Sequence, residues 1–140
     1  MDVQEKKIGR VFRASLKPGE DFFEEIYKLA EKEGIREASL FVIGALSAGR
    51  MIAGFKNIEG DLDRRDLGQK REFFAIGNLN WPSERPNAVP DTVPWEKPRP
   101  YAHFHLALGP DVGASDPETL VGHLDKAAIV GAFVDIYELL

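Results

Sequence analysis

The chain contains no cysteine. That single absence excludes disulfides, thiolate metal ligands and thiol catalysis. No apolar run approaches the roughly 20 residues of a membrane-spanning helix. The start, Met1-Asp-Val-Gln-Glu-Lys-Lys7, has no apolar core of the kind a signal peptide carries, so the expected address is the cytoplasm, with no membrane partner. Positive charge is in deficit: 18 Lys and Arg stand against 23 Asp and Glu, a net −5, and no bulk field draws the protein toward nucleic acid. Histidine is scarce too, with three in 140 residues. All three fall between positions 103 and 123.

What is present fits a soluble globular protein: 44% hydrophobic, 29% charged, and long enough to bury a core as one domain over 1–140. Ile8–Leu16 alternates as a strand and is stopped by Pro18-Gly19. A helix follows, capped by Asp21 with Glu24 three residues on. Phe22, Phe23, Ile26, Leu29 and Ala30 lie on its apolar face, and Gly34 is its stop. Ala38–Ala48 is apolar on both faces, as a doubly covered strand would be, and Gly44 inside it implies a bulge or a close backbone approach. Gly49 is read as a turn into a partner strand, Arg50–Lys56. Asn57–Gly68 reads as a polar loop and Arg71–Leu79 as a further strand.

Residues 81–101 form a proline-rich arm. Pro82, Pro86, Pro90, Pro94 and Pro98 recur every four residues, which rules out helix and central strand. The bulk of Trp81 and Trp95 argues for an extended arm packed on its own or a neighbouring subunit. After it come the apolar run Tyr101–Leu108, a loop through Pro117 in which Asp116-Pro117-Glu118 could open a helical turn, and a closing β region ending in the alternating stretch Ala132–Leu139. With one or two helices and six or seven strands, the expected class is α+β: an α/β sandwich on a largely antiparallel sheet.

The histidines carry the chemistry. In a strand, His103 and His105 point to one face, and His123 arriving from another segment would close a three-nitrogen site of the type Zn²⁺ prefers. The alternative is a chance His-x-His beside an unrelated surface histidine. Zinc on three histidines keeps one position for water or a small ligand, so hydrolysis or lyase chemistry is open to such a site. Arg50 is a candidate to hold an anionic substrate, although such a residue more often serves in a structural ion pair.

Four patches together resemble the plants and prokaryotes conserved (PPC) domain family: Leu16-Lys-Pro-Gly-Glu20, Ile43-Gly-Ala-Leu-Ser47, His103-x-His105 and Gly122-His-Leu124. Glu72 matches a strand position of the family, which makes it the candidate for catalytic assistance, although its glycine, Gly77, comes one place early and such a residue more often serves in a structural ion pair. Val121 stands where the family usually has the first of two glycines. The resemblance implies a compact homotrimer with an antiparallel sheet, and a divalent ion, usually taken as zinc, on His103, His105 and His123. Plant members reach DNA through AT-hooks. Here Lys97-Pro-Arg-Pro100 lacks the Gly-Arg-Pro core of a hook, so DNA binding by the chain alone is not expected.

Overall fold

The structure is a computed structural model that describes residues 1–111, 113 and 118–140. The suggested helical turn at Asp116-Pro117-Glu118 lies largely outside the described residues. Among them, one helix and six strands run in the order β1 (Ile8–Leu16), α1 (Phe22–Glu33), β2 (Ala38–Phe55), β3 (Leu62–Leu67), β4 (Arg71–Asn80), β5 (Tyr101–Leu108) and β6 (Leu120–Leu139).

The helix forms where its signals stand. The Asp21 carboxylate accepts from the amides of Phe23 (3.0 Å) and Glu24 (2.9 Å), and Gly34 ends the helix in the left-handed region. The reciprocal half of a capping box is not made; the Glu24 side chain pairs with Lys28 instead. Phe22, Ile26 and Ala30 are buried. The Phe22 ring meets Phe104 at 5.1 Å and Phe73 at 6.2 Å, which clamps the helix to β5 and β4.

Every strand pairing is antiparallel. β2 and β6 are long, at 18 and 20 residues, and pair with each other over most of their length. Each then has a different neighbour at each end. β2 takes β4 at its start and β3 at its end, whereas β6 takes β5 at its start and β1 at its end. Since β4 also pairs with β5, the strands β2, β4, β5 and β6 close a circuit, and the sheet wraps around its core instead of lying flat. Leu40, Leu46, Met51, Leu79, Phe104, Leu124 and Ile136 fill the inside.

Three details depart from the sequence reading. Gly49 is not a turn: β2 passes straight through it, with register shifts against β6 on either side. The supposed loop 57–68 contains β3, an edge strand in which Arg64, Arg65 and Asp66 stand on a ladder with Ile52, Met51 and Arg50. The closing β region is one strand beginning at Leu120. The expectation for Gly44 holds: a Cβ there would lie 2.5 Å from the Gly131 carbonyl oxygen, so only glycine lets β2 and β6 approach this closely.

Over residues 81–100 the arm has neither helix nor strand, and Tyr101 opens β5. Its proline repeat makes successive turns, Val89 N–H to the Pro86 carbonyl at 2.9 Å and Val93 N–H to the Pro90 carbonyl at 3.0 Å. Trp81 donates to the Ile35 carbonyl (2.9 Å) beneath the Arg36 guanidinium. Trp95 donates back to the Pro82 carbonyl (3.0 Å) under Arg99. The arm therefore packs on its own chain. The outer face of β2, β4 and β6 is less well covered: Phe41, Ile43, Phe74, Ile76 and Phe133 form one apolar patch, each at least 45% exposed.

Candidate metal centre

Period-two alternation in β5 buries Ala102, Phe104, Leu106 and Leu108 and turns Tyr101, His103, His105 and Ala107 outward. The register of β6 then sets His123 directly opposite His105, with Ile52 of β2 on its other side. Two strands thus deliver three imidazoles to one patch of the outer face. Ring centroids are separated by 4.8 Å (His103–His123), 5.1 Å (His103–His105) and 5.9 Å (His105–His123).

The position of His123 depends on its neighbour. A Cβ on Gly122 would collide with the Ile52 carbonyl oxygen and come within 3.0 Å of Met51 Cε, so glycine is what allows β6 to close on β2 beside the histidine. At the start of β5, the Tyr27 hydroxyl accepts from the Ala102 amide at 3.3 Å. Burial pushes that phenol up to about 12, so it stays neutral while it pins the strand. Tyr101 stacks on His103 at 6.3 Å. Arg64 donates to Asp125, two residues beyond His123, at 3.1 Å and to the Ala88 carbonyl of the arm at 3.3 Å, tying the arm down beside the centre.

One candidate ligand atom from each histidine can be chosen so that all three lie within 4.8 Å of one another. Three nitrogens bound tetrahedrally at 2.0–2.1 Å stand about 3.4 Å apart, so side-chain rotation alone would close the set on an ion. Two of the donors are also in the right state. Burial lowers the pKa of His103, helped by His105. Burial, with His103, His105 and Arg64, lowers that of His123 to about 4. Both rings are neutral at pH 7, with lone pairs available. Among the described residues, no protein group hydrogen-bonds to any of the three rings, and none of them supplies the acceptor commonly found behind a metal-bound imidazole.

The other two candidates are placed differently. Glu72 shares the outer face but lies four residues along β4 from Ile76, the partner of His105, or about 13 Å at strand rise. It is not brought to the histidines. Arg50 comes nearer. It pairs with Asp66 at 3.1 Å and lines a cavity of about 320 Å³ with Trp95, Arg99, Lys126 and one side of His123. The cavity shared by all three imidazoles is a different one, of about 670 Å³, which Arg50 does not line. Sequence reasoning missed Tyr101, Arg64 and Asp125. Tyr101 and Asp125 stand two places from His103 and His123, where strand periodicity could have found them; Arg64 lay in a segment taken for a loop.

No curated protein matches the chain. Solved structures do match. A plant- and prokaryote-conserved protein from Pyrococcus horikoshii is 22% identical, with a TM-score of 0.76 over 100% of this chain and 85% of that one. A protein of Archaeoglobus fulgidus described as metal-containing is 24% identical, with a TM-score of 0.74 over 99% and 86%. A candidate DNA-binding protein from Bacteroides thetaiotaomicron is 23% identical, with a TM-score of 0.66 over 94% and 80%. At these identities the likeness is one of fold. The Plants and Prokaryotes Conserved (PCC) domain model matches residues 3–137, and the chain belongs to that family.

Proposed function

We propose that this protein is a zinc-binding, homotrimeric module that presents a three-histidine centre to a small-molecule ligand. The observation that carries the reading is the meeting of His103, His105 and His123, the only histidines in the chain, on one face. His103 and His105 would hold the ion from β5, and His123 from β6. Zinc bound there would supply a Lewis-acidic position open to water or a ligand. Among the described residues no carboxylate lines the shared cavity, and Glu72 is about 13 Å away along its strand, so a general base is missing. That favours ligand binding over hydrolase or lyase chemistry.

Trimerisation draws support from the family and from the apolar patch around Ile43 and Phe74, which a second copy would cover. DNA is the weaker partner. A trimer carries about −15 from three chains of −5, and Arg10, Arg13, Arg50, Arg64 and Arg65 are each paired with an acid. Elemental analysis after mild purification is the test: about one zinc per chain, lost in His123→Ala. Protein without a transition metal, or a His123→Ala variant that retains it, would refute the reading.

A further inference from the structure

The cavity onto which all three histidines open has no Asp, Glu, Lys or Arg among its described lining residues. Its walls are Ile52, Phe55, Leu62, Pro86, Tyr101 and Val121, contributed by β2, β3, the arm, β5 and β6. At about 670 Å³ it has the size of a small-molecule site, and the imidazoles are its main polar feature apart from Asn87, the Tyr101 hydroxyl and backbone. The cationic side chains Arg50, Arg99 and Lys126 line the neighbouring cavity, on the far side of His123.

Resting on the zinc reading above, we infer that the ligand is an apolar monocarboxylate, its single anionic head on the metal and its hydrocarbon body against Phe55, Leu62 and Val121. Charge decides the class. Zinc on three neutral imidazoles keeps the ion's double positive charge, and a carboxylate head meets it directly. A second charged group carried along the wall, away from the metal, would have no counter-ion there and lose its hydration uncompensated. An apolar body instead gains from leaving water along that wall. Dicarboxylates and zwitterions, whose second charge must lie along that wall, are therefore selected against, although the metal would attract the carboxylate of each.

The test titrates zinc-loaded protein at pH 7 with acetate, hexanoate and succinate by calorimetry. Hexanoate should bind at least about tenfold tighter than acetate as methylenes are covered, and succinate no tighter than acetate. Phe55→Ser, at an exposed side chain outside the core, should weaken hexanoate severalfold and leave acetate unchanged. Equal affinity for acetate and hexanoate, tighter succinate than hexanoate, or a Phe55→Ser effect that is the same on both monocarboxylates would overturn the inference while leaving the metal site intact. A protein that takes up no zinc before titration would instead overturn the reading on which it rests.

Discussion

Gly122→Ala is the sharpest probe of how the centre is built. The added Cβ would overlap the Ile52 carbonyl oxygen and lie 3.0 Å from Met51 Cε and 3.1 Å from the Ile52 carbonyl carbon. Two of these contacts are backbone, so the clash cannot be relieved by one flexible side chain. The start of β6 must move from β2 by on the order of 1 Å, and overpacking of this kind costs about 1–3 kcal/mol. His123 is the next residue and moves with it, away from His105 directly across the ladder. Metal–ligand distances tolerate about 0.2 Å, so zinc affinity should fall by roughly tenfold to a hundredfold, the scale seen when groups that orient ligands are disturbed. Gly68→Ala is the control, since a Cβ there meets nothing within 4 Å and its φ is not positive. Competition against a chromogenic chelator gives the affinity, and urea unfolding of metal-free protein gives the stability. If Gly122→Ala binds zinc as the parent does and unfolds at the same urea concentration, the account of how His123 is positioned is wrong.

Other outcomes follow from the same contacts. Because burial holds His123 neutral down to about 4, the unfolded chain takes up a proton that the folded chain refuses as pH falls below 6.5; metal-free protein should thus lose stability from pH 6.5 toward 5, before most carboxylates titrate, and His123→Gln should flatten that slope. Glu138 does not contribute in that window: the Arg10 guanidinium holds its carboxyl down at about 2, so its stabilisation is present above the ordinary carboxylate range and is lost only in stronger acid. Chelation should lower the melting temperature yet keep the far-UV dichroism spectrum, because the core around Phe22, Leu40 and Phe104 does not include the histidines; loss of the spectrum at 25 °C would contradict this. Light scattering should give about 47 kDa, three times the 15.6 kDa chain, and Ile43→Asp should reduce it to the monomer; parent protein at the monomer mass would exclude the trimer.

Much of this fold was legible in the sequence because local signals and tertiary structure agree. Asp21 and Gly34 bound α1 as their chemistry requires, and alternation in 8–16 and 101–108 marks strands that bury one face. The His-x-His pair could be placed on one face from periodicity alone, whereas pairing with His123 depends on a β5–β6 register that no local signal encodes. The misses have physical causes. Gly49 looks like a turn residue but serves a close approach to β6, where a Cβ would meet the Lys126 carbonyl. β3 was hidden because an edge strand with four consecutive charged residues lacks the alternation that a half-buried strand displays. Glu72 was singled out by its match to a family position, and strand rise carries it away from the histidines along the face they share. The arm's lack of regular structure followed from its prolines, but its seat beside the centre depends on Arg64 and Ala88, which are distant in sequence.

The central claim is that His103, His105 and His123 hold one zinc ion. X-ray absorption at the zinc edge on protein loaded with one equivalent tests it most directly. The account predicts three imidazole nitrogens at about 2.0–2.1 Å with a single further light donor, and loss of one imidazole from the shell in His123→Ala. A shell of six oxygens without imidazole scattering, or a spectrum unchanged by His123→Ala, would contradict it.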